Sequence, residues 1–129
     1  MSLSLEKKFV SYCVDKKIYV NLAESCTGGL ISSKIISVSN ASQIFKYSFV
    51  TYNNESKNKF LKVPLNILNK YGAVSKETAF HMAKGLAKEK GVNFSFAVTG
   101  IAGPLGGTKE KPIGLVFFSF LYNKKKYHS

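Results

Sequence analysis

The chain has 129 residues, of which 45% are apolar and 13% aromatic, enough to fill one core and too few for two. Its formal charge of +12 comes from 19 basic residues, all lysine and scattered from Lys7 to Lys126. Without arginine the planar fork that reads guanine or clamps phosphate is missing, so the charge argues against a nucleic-acid reader and for a field that favours anionic substrates.

No run approaches the ~20 apolar residues that cross a bilayer, and Met1 to Lys8 holds no hydrophobic block, so a cytoplasmic chain without membrane contact is expected. Cys13 and Cys26 fall on different elements and read as free thiols. With two histidines, one aspartate (Asp15) and no Cys-x-x-Cys spacing, the chain lacks the ligands of a transition-metal site.

In chain order, Leu5, Phe9 and Cys13 recur at helical spacing, with Val10 and Val14 beside them, and predict an amphipathic helix over residues 3–16. Ile18 to Ala23 is a short β-branched and aromatic run that stops at Glu24-Ser25-Cys26-Thr27-Gly28-Gly29, where two glycines permit a sharp turn. A helix follows from Leu30 to about Val38. Phe45 to Tyr52 alternates as a strand, and Asn53-Asn54 opens a short helix from Glu55 to about Lys62.

Pro64 suits the first turn of the next helix and Gly72 its end, and Ser75 caps another helix that runs through Ala79, Met82, Ala83 and Leu86. Asn93 to Thr99 is an apolar strand entering the loop Gly100 to Gly107, and Ile113 to Tyr122 is the last strand. This alternation implies one α/β domain over residues 1–122, with helices on both faces of a mixed sheet. Lys124-Lys125-Lys126 reads as part of a solvated basic tail over residues 123–129.

Open α/β sheets collect ligands at the carboxyl ends of their strands, and three segments put polar groups there. Ser25 sits at a strand-to-helix turn, where following amides can stabilise an oxyanion or bind phosphate; the same position suits a helix cap. No histidine lies nearby, so Lys57 or Tyr52 is what remains to activate that serine. A basic lysine needs its pKa lowered from ~10.4 to ~7–8, and burial or a neighbouring cation supplies that shift.

The third segment, Thr99 to Gly107, can bring amides against a phosphate or carbonyl, although its spacing matches neither the Walker nor the Rossmann glycine pattern. Cys26 is the rival nucleophile, but its place beside an exposed serine points it into the core. His81 lies between apolar helix positions without a partner in sequence and reads as structural.

Five blocks carry a family resemblance in one order. They are Ala23-Glu24-Ser25-Cys26-Thr27-Gly28-Gly29, Val50-Thr51-Tyr52-Asn53-Asn54 with Lys57, Tyr71-Gly72-Ala73-Val74-Ser75, Thr99-Gly100-Ile101-Ala102-Gly103-Pro104 and Lys111-Pro112-Ile113-Gly114. In these blocks, over residues 5–122, the chain resembles the CinA C-terminal domain family of nicotinamide-nucleotide amidohydrolases. The resemblance implies a three-layer α/β/α fold and conversion of nicotinamide mononucleotide to nicotinic acid mononucleotide and ammonia, with no cofactor and no metal.

It further implies Ser25 as nucleophile and Tyr52 with Lys57 as the proton-handling pair. Thr27, Gly28, Gly29, Asn53, Thr99, Gly100, Ile101, Ala102 and Gly103 are the expected substrate contacts. Amides at Thr27 to Gly29, or at Gly100 to Ala102, would hold the oxyanion. Family members continue with another strand, a Gly-Asp-Arg segment and a long helix where this chain stops at Ser129. The expected consequence is uncovered apolar sheet surface and a homodimer that covers it.

Overall fold

The computed structural model describes residues 3–88, 90–123 and 125–128. Its sheet has five strands, β1 (Val20–Glu24), β2 (Phe45–Val50), β3 (Phe94–Gly100), β4 (Val116–Tyr122) and β5 (Lys125–His128), in the order β2-β1-β3-β4-β5. β1 runs parallel to both β2 and β3, while β3, β4 and β5 are antiparallel neighbours. The sheet is therefore mixed, and the carboxyl ends of its three parallel strands lie along one edge.

β1, flanked by β2 and β3, is buried at every position, as a parallel strand covered on both faces must be, and it carries Asn21 and Glu24 into the interior beside its apolar residues. Val20 and Leu22 point to one face, where α1 (Leu5–Lys16) and α2 (Leu30–Ile36) close a core around Val10, Cys13, Ile35, Ala41 and Ile44. Ala23 and Ala97 point to the other, packed by α3 (Asn54–Leu61), α4 (Leu65–Tyr71) and α5 (Lys76–Ala87) through Leu61, Leu68, Met82, Ala83 and Leu86. The result is the expected three-layer α/β/α arrangement.

Local signals set the helix boundaries. Asn53 and Ser56 form a reciprocal capping box at the start of α3, and the Ser75 hydroxyl accepts from the Thr78 amide at the start of α5. The strand expected from Ile113 begins instead at Val116, because residues 113–115 turn back on the glycine loop: the Gly114 amide donates to Ile101 O and the Ile101 amide to Leu115 O.

The end of the chain also differs from expectation. Lys125–His128 forms an edge strand paired with β4, Tyr122 opposite Lys125 and Ser119 opposite His128, so a strand does follow β4 where a tail was expected. Lys124 lies outside the described residues. Unpaired backbone groups on the outer edge of β4 are what such a strand satisfies, and a lysine-rich sequence is well suited to an edge.

Among the described residues, no helix covers β3 and β4 on the α1–α2 face. An apolar groove of about 450 Å³ lies there, walled by Leu5, Phe9, Ile31 and Ile35 and floored by Phe94, Phe96 and Phe118. Phe94 stacks on Phe120 and Phe96 on Phe118 at centroid separations of 5.5 and 5.7 Å, which pins the ladder of rings in place. The uncovered apolar sheet surface expected from the family resemblance is present among the described residues. Among the described residues, no helix is long and apolar enough to cross a membrane.

Candidate active site

Ser25 directly follows β1, Thr51 and Tyr52 follow β2, and Gly100 ends β3, so the sheet topology alone gathers these residues at one edge. Gly28 and Gly29 have φ of 61° and 99°, in the region glycine adopts without strain, and they turn the chain sharply from Ser25 into α2. Across this turn the Lys57 amine, carried on the first turn of α3, lies 3.1 Å from Ser25 Oγ. It also donates to the Thr51 carbonyl at 2.8 Å. Serine and lysine therefore meet on one side of the sheet.

These contacts close a ring. The Thr51 amide donates to the Glu24 carbonyl, the Thr51 carbonyl accepts from Lys57, and Lys57 reaches the serine that follows Glu24 in sequence. Lys57 is only 1% exposed, and no carboxylate contributes to its charge balance. Burial pushes its amine down from 10.5 to about 8, against a smaller opposing pull from Cys26. At neutral pH about one such lysine in ten is uncharged and can accept a proton.

A cavity of about 200 Å³ opens beside the pair, lined by Ser25, Cys26, Tyr52, Lys57, Ala73, Val74, Thr99, Gly100 and Ala102. Thr99 Oγ1 donates to the Ala73 carbonyl at 2.8 Å, fixing the wall that the loop before α5 presents. Gly100 is needed for closeness: a Cβ there would stand 2.8 Å from Leu115 O and 3.0 Å from Cys26 Sγ.

Several expected contacts take other places. The Tyr52 phenol lines the cavity but is 74% exposed and, among the described residues, makes no hydrogen bond to Ser25 or Lys57, so it is not joined to the lysine as a proton-handling pair. Asn53 caps α3, its side chain engaged by the Ser56 amide at 2.8 Å. Thr27 donates to Glu24 at 2.6 Å. The amides of Gly28 and Ile101 are engaged by Ser25 O and Leu115 O, which removes them as oxyanion donors. Thr27, Gly28, Gly29, Asn53, Ile101 and Gly103 do not line the cavity.

Cys26, expected in the core, is half-buried and faces the cavity instead. Burial pushes its thiol up, while its own amide, Lys57 and the Thr27 amide pull the other way and Glu24 adds to the rise. The sequence reading also gave no part to Ala73 and Val74, which form a wall, or to Glu24. That last residue carried a signal, since a lone acid ending an apolar strand must be buried and held by donors.

A serine hydroxyl beside a buried, carboxylate-free amine, at the carboxyl edge of a three-layer α/β domain, defines the class as an α/β domain with a serine–lysine site. The model of the CinA C-terminal domain matches residues 2–129, and the chain belongs to that family. A CinA-like protein of Dictyoglomus turgidum is 50% identical over 114 residues, covering 88% of this chain and 28% of that protein. A putative competence-damage inducible protein of Clostridium acetobutylicum is 48% identical over 122 residues, 95% of this chain and 30% of that one. The chain thus spans about three-tenths of the length of these curated relatives.

Among solved structures, a competence/damage inducible protein of Agrobacterium tumefaciens superposes with a TM-score of 0.92 at 39% identity, covering all of this chain and 82% of that one. A CinA superfamily protein of Escherichia coli gives the same TM-score at 29% identity, with 79% of its chain covered.

Proposed function

We propose that this domain is an amidohydrolase that deamidates nicotinamide mononucleotide to nicotinic acid mononucleotide and ammonia through an acyl-enzyme on Ser25. The observation that carries the proposal is the 3.1 Å contact between Lys57 and Ser25 Oγ, with the amine held down to about 8. An uncharged Lys57 takes the hydroxyl proton as Ser25 Oγ bonds to the carboxamide carbon. The proton then passes to the amide nitrogen, the C–N bond breaks and ammonia leaves. Water attacks the resulting ester, Lys57 accepts its proton and returns it to Ser25 Oγ as the acid departs.

Cys26 lines the cavity beside Ser25, and its amide is the donor suited to the developing oxyanion. Small-molecule sites that enclose a whole ligand run to about 300–1,000 Å³. At about 200 Å³ the cavity suits the carboxamide ring, leaving ribose and phosphate outside in the field of a +12 surface. The exposed Tyr52 ring at its mouth offers a face to that ring.

Ser25→Ala is expected to abolish ammonia release from nicotinamide mononucleotide without lowering the melting temperature. Turnover by the alanine variant ends the covalent proposal. A ligand-induced rise in melting temperature without ammonia from the unaltered chain would mark a nucleotide-binding domain instead.

A further inference from the structure

The geometry points to Glu24 as the positioning residue that sets the nucleophile for attack, an inference that rests on the serine–lysine reading above. Its carboxylate is fully buried, directly precedes Ser25, and takes four hydrogen bonds: from Thr27 Oγ1 at 2.6 Å, the Ile31 amide at 2.9 Å, the Ser32 amide at 2.9 Å and Ser32 Oγ at 2.6 Å. Burial alone would raise its pKa, but the donors from Ser32, Thr27 and Ile31 outweigh burial and hold it below the usual carboxylate range. It is an ionised group kept in the interior.

α2 needs that group. Its cap residue, Gly29, has no side chain to offer, so the first-turn amides are satisfied by an acid reaching over from the preceding strand. Glu24 therefore holds both ends of the Ser25–Gly29 turn. Its side chain fixes the helix that follows, and its carbonyl, accepting from the Thr51 amide, fixes the strand that presents the Lys57 acceptor.

Strand alternation directs its carboxylate, like Leu22, toward the α1–α2 face, whereas Lys57 arrives on α3, whose Leu61 packs with the opposite core. Glu24 contributes nothing resolved to the lysine's titration. It acts on where the serine stands, not on whether the lysine is charged.

Displacing a reacting group by an ångström costs about 10²-fold in rate. Glu24→Gln, which sets an NH2 group against amide donors, is therefore expected to lower kcat for ammonia release by about that factor. The KM for nicotinamide mononucleotide and the pH midpoint at which the rate rises as Lys57 loses its proton stay unchanged. Ser32→Ala, which removes one hydroxyl donor and keeps both amides, should give a smaller loss in the same direction. Labelling of Ser25 by a fluorophosphonate, in which the serine oxygen replaces fluoride on phosphorus, should slow in parallel in both variants.

Unchanged kcat and labelling alongside a lowered melting temperature would reduce Glu24 to a structural part and overturn the inference. So would a moved pH midpoint, which would make Glu24 a modulator of the lysine. Should Glu24→Gln not fold, Ser32→Ala decides alone, and labelling at the unaltered rate rejects the role. If the unaltered chain labels at Ser25, loses that reactivity on Glu24→Gln, and yet releases no ammonia, the substrate assignment is wrong and the positioning role stands.

Discussion

Lys57 is a fully buried amine whose only hydrogen-bond partners among the described residues are a hydroxyl and a carbonyl, an arrangement that costs stability. Its pKa falls from 10.5 in an unfolded chain to about 8 here, so the unfolded state binds the extra proton between those values and stability rises with pH across the window. The difference corresponds to about 3 kcal/mol. Measured against Lys57→Met, the unaltered chain should gain about that much between pH 8 and 10.5, and chemical denaturation at several pH values reads it. A constant gap would mean an amine of ordinary pKa. Composition and order made Ser25 and Lys57 legible as candidates, but ranking Lys57 over Tyr52 was not possible from spacing: that depends on α3 folding back over β1, a contact across 32 residues.

At the scale of elements, all five described α-helices and all but the last strand could be read from period and punctuation, with boundaries shifted where hydrogen bonding overrode pattern. The short 3-10 turn at Ala41–Gln43 was not read. Tyr52 fits the alternation of β2, yet the strand ends at Val50, and Asn53, still extended at φ −120° and ψ 171°, turns its side chain to the cap of α3. β5 was hidden for a different reason: its lysines lack the apolar alternation of a half-buried strand, and only pairing with β4 defines it. The packing of α5 on α3 turns on Gly85, where a Cβ would lie 2.0 Å from Leu61 O. Helix propensity favours alanine there by about 1 kcal/mol, but the clash outweighs it, so Gly85→Ala should destabilise by about 1–3 kcal/mol or more in denaturant titration. A stabilised variant would mean that the two helices do not approach so closely.

For the whole molecule, the layers follow from the α/β pattern and the open aromatic face from the family resemblance, while the sheet order and the partner of that face follow from neither. We propose a homodimer that buries the Phe94 and Phe96 groove. Copies carrying +12 each repel, so association through an apolar surface should strengthen as salt screens the charge. Light scattering at micromolar concentration should move from 14.2 kDa toward about twice that mass as ionic strength rises. A monomer at every salt concentration rejects the dimer and leaves the site untouched.

The claim beneath all of this is that Ser25 reacts because Lys57 can shed its charge, and the most direct measurement is the rate of Ser25 acylation by nicotinamide mononucleotide as a function of pH. The deprotonated amine is the active form, so the rate should climb through a midpoint of about 8, fall tenfold for each unit below it, and vanish in Lys57→Met. A rate that ignores pH across that range, or a methionine variant that still acylates, would contradict the account.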